Sequence, residues 1–194
     1  MTETLSRYRL KQLILYIAER TATADFFGGT KLNKVLYRSE LAAYRELGHK
    51  LTEFHYQKNR MGPTLRAFQP ITAEMESAGL IAWDTRRHGR TEERRMRALA
   101  APDLSVFSDQ EIAIVHAEIR RAWDLTGAQV SAEEHQTAAW YATRMNETIK
   151  PELSFVEDPA QMMPLSDAEQ ERAAAAIERY LARAREAANS RSRA

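Results

Sequence analysis

Cysteine is absent from this chain, which excludes disulfides and thiol chemistry and suits a reducing compartment. Charge of one sign is also lacking. The 28 Lys and Arg stand against 27 Asp and Glu, so no global field imposes nucleic acid or a membrane as partner. No apolar run approaches the length of a membrane span, and the opening MTETLSRYRLK lacks the pattern of a signal peptide. A cytoplasmic protein with no membrane partner is expected. Glycine and proline are few, no repeat is visible, and Gly28-Gly29 lacks the spacing and the Lys-Ser/Thr ending of a phosphate loop. The histidines at 49, 55, 88, 116 and 135 form no metal-ligand spacing, and there is no cysteine to complete a zinc site. Neither a catalytic set, a bound metal nor a cofactor is expected, and the chain does not read as an enzyme. What is present is ordinary globular material: 44% apolar and 28% charged over 194 residues, enough for one domain with a core and an appendage.

The chain is organised around Thr30 to Leu80. A helix is predicted from Lys31 to Leu47, with Thr30 as N-cap and Gly48 as the left-handed residue that stops it. Leu32, Leu36, Ser39, Ala43 and Leu47 share one face, and Val35 and Leu41 widen it. Lys31, Lys34, Arg38 and Arg45 align on another face with no acid among them. Lys31 and Lys34 also sit in the first turn, where the helix dipole disfavours cations. Some acceptor must compensate: an internal one, such as a carboxylate or buried carbonyls, or an acidic patch on a partner. An extended run follows from Leu51 to Gln57, and then a tight turn at Met61-Gly62-Pro63. A further helix is predicted over 64–79, kinked or restarted at Pro70.

On either side the pattern stays helical. Residues 5–20 predict a helix with Leu5, Tyr8, Leu13 and Ile17 inward. Ser108 and Glu111 form a capping box before a helix that carries Ile112, Val115, His116, Ile119 and Trp123 and closes at Gly127. Ser131 and Glu134 form a second box before His135 and Trp140, and Ser131 with His135 suggests a small structural network. Between these halves, alternation around a turn near His88-Gly89 predicts a β-hairpin. It carries Arg86, Arg87, Arg90, Arg94, Arg95 and Arg97, interspersed with Asp84, Glu92 and Glu93. These arginines are either nucleic-acid contacts on a winged-helix-like element or a solvated edge whose charges prevent pairing with other chains. The fold class expected is mainly α: a compact helical domain with a small β-hairpin.

The series Lys31-Leu32-Asn33-Lys34-Val35-Leu36-Tyr37, then Tyr56-Gln57-Lys58, Gly62-Pro63, Phe107-Ser108, Ser131, His135, Trp140 and Ile149-Lys150-Pro151 resembles the SocA-like Panacea antitoxin domain. The ordered series is more specific than any member of it, and the resemblance covers residues 5 to 157. It implies a Panacea-like helical domain over 1–157. A linker is read at 158–165, a C-terminal helix at 166–188 and a disordered tail at 189–194. It further implies an antitoxin that neutralises a cognate, co-encoded toxin by direct binding, or that hands it to a protease. Lys31, Lys34, Tyr37, Arg38, Gly62, Pro63, His135 and Trp140 are carried as family-signature or partner-binding candidates. Arg38-Ser39 departs from the family pattern, as does Lys150-Pro151-Glu152, which lacks the expected aromatic. The alternative is a winged-helix-like DNA-binding transcriptional regulator, for which the basic hairpin is the evidence, though with weak nucleic-acid contact. A third reading is a phage-borne or domesticated member with no toxin.

Overall fold

The computed structural model describes residues 1–88 and 91–156, and then 167–168, 171–172, 174–175 and 177–178. The chain divides into two compact units, Met1–Glu157 and Asp158–Ala194. In the second unit the described residues are helical. The linker at 158–165, the tail at 189–194, most of the helix expected over 166–188, and Arg90 lie outside the described residues.

In the first unit, helix α1 (Glu3–Arg20) starts at Thr2, whose hydroxyl accepts from Leu5 N at 3.3 Å. Its buried side is Leu10, Leu13, Ile14 and Ile17, while Leu5 and Tyr8 are exposed, contrary to the expected stripe. The run from Leu13 to Ile17 is apolar on all sides, so its period cannot select a face; packing does.

Helix α2 (Gly29–Leu47) is the central element and packs on α1 and on the later helices. Its C-terminus is the expected one, with Gly48 at φ 75°. Its N-terminus is not. Gly28 is the N-cap, without a side-chain cap, and Thr30 lies inside the first turn. The reason is crowding: a Cβ on Gly28 would stand 2.8 Å from Glu93 Cγ and 3.1 Å from the Arg94 carbonyl. Glycine lets the helix begin two residues earlier than expected, close against the neighbouring hairpin.

Strands β1 (Tyr56–Gln57) and β2 (Thr64–Leu65) form a short antiparallel pair that closes through Gly62-Pro63. The segment 146–149 docks on the other edge of β1, with Ile149 N donating to Tyr56 O at 2.8 Å and Lys58 N to Glu147 O at 2.9 Å. Helix α3 (Phe68–Ser77) is shorter than predicted. Pro70 neither kinks nor restarts it. It falls in the first turn, where a backbone N–H would have no partner in the helix and none is lost.

The predicted hairpin is present as β3 (Ile81–His88) and β4 (Thr91–Ala98), with Ile81 opposite Ala98 and Trp83 opposite Met96. Helix α4 (Asp109–Ala122) opens on the Ser108–Glu111 capping box. It ends before Gly127, which instead opens helix α5 (Gly127–Glu134). The cap of α5 is Thr126 with Gln129, so Ser131 is a mid-helix residue and not a cap. A one-turn α6 (Ala138–Tyr141) and a 3-10 turn at Pro151–Phe155 complete the unit. The fold is mainly α with two small antiparallel strand pairs. One core joins α1, α2 and α4 to the inner faces of α3 and the hairpin, through residues such as Ile14, Leu36, Met75, Met96 and Val115.

Candidate functional site

The signature residues are built on α2, and their polar ends point inward. Lys31 and Lys34 are each 1% exposed. Lys31 Nζ donates to the carbonyls of Trp123, at 2.9 Å, and Leu125, at 2.5 Å, and lies 4.7 Å from the centre of the Phe27 ring. Trp123 is the C-cap of α4, where acceptors are left without intrahelical donors and a cation is favoured, and Leu125 lies in the link to the next helix. Burial pulls the Lys31 pKa down, against the opposing pull of Glu93 and Asp124. The first-turn anomaly of α2 is therefore compensated by an internal acceptor.

Lys34 Nζ donates to Pro63 O at 2.6 Å, and Asn33 Nδ2 donates to the same oxygen at 3.0 Å. Asn33 Oδ1 in turn accepts from Leu65 N at 3.0 Å. One side of the Gly62-Pro63 turn is thus pinned by two consecutive residues of α2. Gly62 sits at φ 93°, and a Cβ there would lie 2.7 Å from Lys34 Nζ. Burial lowers the Lys34 pKa to about 8, with Glu134 opposing and Arg38 assisting. Ser131 Oγ donates to Met61 O at 3.1 Å, so Ser131 holds the turn and does not pair with His135.

One turn further along α2, Arg38 donates through Nε to Glu134 and through Nη2 to Glu133 at 2.8 Å. Burial opposes the Arg38 charge, but the two carboxylates outweigh it and raise its pKa. For Glu134 burial wins and pushes the carboxyl up, despite Arg38 and Lys34. Tyr37 is core: its ring meets Tyr56 at 5.2 Å, and burial pushes its phenol well up. His135 stacks on Trp140 at 4.1 Å, and Lys58 Nζ lies 4.4 Å from the Trp140 ring and donates to the Trp140 carbonyl at 2.6 Å. Burial, then Lys34 and Lys58, lower the His135 pKa.

The structure therefore brings Lys34, Arg38, Gly62, Pro63, His135 and Trp140 into one cluster, with Tyr37 beneath it and Lys31 at its far end. The aligned cations are not a basic surface: Lys31, Lys34 and Arg38 are buried, and only Arg45 is exposed. Sequence reading missed Asn33, Glu133 and Glu134 as their partners. It also missed Glu40, a buried carboxyl that accepts from Leu51 N at 2.8 Å and Thr52 N at 3.1 Å and is pushed up to about 7 by burial. A second buried pair, Arg9 with Glu111 at 2.5 Å, was likewise unseen. No local spacing marks residues that lie 95 or 102 positions apart.

The hairpin arginines do not share one face. Arg95 is buried and donates to the carbonyls of Ala24, at 2.6 Å, and Thr21, which tie the hairpin to the end of α1. Arg94 lies 4.9 Å from the Trp83 ring centre. Arg87 pairs with Glu92 at 2.8 Å and Arg97 with Asp84 at 3.2 Å, while Arg86 is exposed. Half-buried His116 lies at the edge of the α4 stripe.

Beside the cluster, an open groove of about 1020 Å³ runs between α3, the hairpin and the first turns of α2 and α5. Among the described residues, no group of three or more His, Asp or Glu could hold a metal ion, and no helix is long and apolar enough to cross a membrane.

Residues 32–141, more than half of the chain, match the family model described as antitoxin SocA-like, Panacea domain. The match takes in Lys34, Tyr37, Arg38, Gly62, Pro63, His135 and Trp140 and leaves out Lys31 and Ile149-Lys150-Pro151. No curated protein and no solved structure matches the chain.

Proposed function

The chain belongs to the SocA-like Panacea antitoxin family, and on that premise we propose that it is the antitoxin of a toxin–antitoxin pair that neutralises a co-encoded toxin by direct protein–protein binding. The observation that carries this reading is the family match, together with what its signature residues do. The cations Lys31, Lys34 and Arg38 close on backbone carbonyls and on Glu133 and Glu134, while Tyr37 Oη and His135 Nε2 are buried without a hydrogen-bond partner among the described residues. Such a cluster specifies a scaffold; it offers no nucleophile beside a base and no open polar centre for a substrate. A non-catalytic protein that acts through its outer surface is the role that fits.

The test is co-expression with the toxin encoded beside it. Growth should be restored, and the two proteins should co-purify as a stable complex. Restored growth with no complex, and with toxin abundance falling in a protease-dependent way, would replace neutralisation by binding with delivery to a protease. A neighbouring gene product that is harmless when expressed alone removes the basis of the proposal.

A further inference from the structure

The short sheet made by β2, β1 and the docked segment 146–149 has an inner and an outer face. Leu65, Tyr56 and Ile149 lie side by side across the three strands and are buried in the core. The residues that alternate with them face outward. Thr64, Gln57 and Thr148 form one row, fixed by the register of β1 with β2 and by the Gln57–Thr148 bridge. Arg66, His55 and Lys150 form the next, with Arg66 N donating to His55 O at 3.2 Å, and all three are exposed. We infer that this outer face binds the phosphate backbone of a single nucleic-acid strand, a function separate from the antitoxin reading above.

The row of Arg66, His55 and Lys150 is the anomaly that points to an anion. Neighbouring strands stand about 4.8 Å apart, and like charges on directly opposed residues are destabilising. Here an arginine and a lysine flank a histidine, and neither row contains a carboxylate. Among the described residues, none of the three holds an ion pair. Arg66 reaches across β1 and donates through Nη2 to Asn146 O at 3.0 Å, so its guanidinium lies over the face. The carboxylates at the border are engaged elsewhere. Glu147 accepts from Arg144 N at 3.2 Å and Glu152 from Tyr44 Oη at 3.4 Å, and Glu53 lies 3.9 Å from Lys50 Nζ. The balance over the two rows is positive, and the complement is an anion.

The rest of the face selects among anions. None of its six side chains is apolar or aromatic. A docked protein segment needs apolar anchors at the centre of its interface, and this face has none. Arg, Lys, Gln and Thr are side chains that donate to phosphate and sugar oxygens. Without aromatic rings there is no platform for stacked bases, so the strand is held by its backbone and its sequence is not read. No helix or ribbon projects from the face to enter a duplex groove, which leaves a single strand as the ligand.

The test uses the full chain and a short fluorescein-labelled oligouridylate, titrated by anisotropy from low to near-physiological salt. Two or three phosphate contacts give a log–log salt slope of about −1.4 to −2.1. Arg66→Gln/Lys150→Gln should weaken binding by about tenfold or more at low salt and reduce the slope by about 1.4, with circular dichroism unchanged. Lys150→Gln alone, which leaves the Arg66–Asn146 hydrogen bond in place, should reduce the slope by about half as much. Arg86→Gln removes an exposed hairpin cation and should change neither affinity nor slope. No binding by the unaltered chain, equal binding by the double variant, or an equal loss in the hairpin variant overturns the inference. Tighter binding to a labelled oligoglutamate of the same length than to the RNA also overturns it, and makes an acidic protein segment the occupant.

Discussion

Lys31 and Lys34 show how a cation is kept inside a protein. The stems pack as apolar chains, and each ammonium ends on carbonyls that no N–H of their own element satisfies. Gly62 is part of the same device, because only a residue without Cβ leaves room for Lys34 Nζ at φ 93°. Gly62→Ala should therefore lower stability by roughly 1–3 kcal/mol, measured by urea unfolding, through left-handed strain and displacement of the lysine. Gly48→Ala, also at positive φ but with nothing within 4 Å, should carry the strain alone and cost less. Glu40 supplies a pH dependence. Its pKa is about 7 in the folded chain against an ordinary 4.5, so the folded state holds the proton more tightly than the unfolded state. The stability it contributes is full below about 4.5 and is lost as pH rises through about 7, on the order of 3 kcal/mol over that window. Glu40→Gln should flatten the stability profile between those values relative to the unaltered chain, whatever it does to stability at any one pH. The first-turn position of Lys31 and Lys34 was legible as an anomaly because the helix dipole is a local rule. Glu40 was not, because its partners Leu51 and Thr52 become partners only when the chain after Gly48 folds back.

At the scale of elements, caps and charge pairs decide where the helices stop and what the hairpin does. Ser108–Glu111, Thr126–Gln129 and Ser131–Glu134 all fit or nearly fit one capping pattern. The first two cap helices; in the third, Glu134 is drawn to Arg38 and Ser131 to Met61 O, so the pattern is filled by tertiary contacts instead. The Thr126 signal was present in the sequence but was masked by reading Gly127 as a helix end. Thr126→Ala should cost about 1 kcal/mol, as loss of an N-cap does. The hairpin itself was legible from its alternation, down to the turn region. The roles of its arginines were not, since the strand register puts Arg95 inward and the α1 terminus supplies its acceptors. Arg95→Ala leaves the Thr21 and Ala24 carbonyls buried without that donor and should cost roughly 2–3 kcal/mol, whereas exposed Arg86→Ala should stay within about 0.5 kcal/mol. Thermal or urea unfolding of the two variants side by side checks the contrast. With its cations divided in this way, the hairpin should bind duplex DNA only weakly and, contacting few phosphates, with a shallow dependence on added salt; the steep loss expected of six phosphate-binding arginines, measured by anisotropy, would restore the nucleic-acid reading.

For the whole molecule, the question is which surface meets the partner and which residues merely hold that surface in place. The cluster of Lys34, Arg38, Gly62, Pro63, His135 and Trp140 joins α2 to the turn before β2 and to α5 and α6, so it sets the relative positions of elements far apart in the chain. Its cations, Lys34 and Arg38, are buried. Loss of the cluster should therefore reach the partner surface only through the fold. Replacing Lys31 and Lys34 together by Gln removes both charges and shortens both stems. The Trp123 and Leu125 carbonyls lose their donor, while Pro63 O keeps Asn33. Each internal hydrogen bond to a charged group contributes about 1.5–3 kcal/mol. The double variant should show a marked fall in melting temperature of the free protein, and growth rescue against the co-encoded toxin should fail only at temperatures where the variant is substantially unfolded. At a lower temperature, where it is still folded, rescue should return. If the lysine variant melts like the unaltered chain yet fails to rescue, the lysines touch the toxin directly and the division between scaffold and partner surface is wrong.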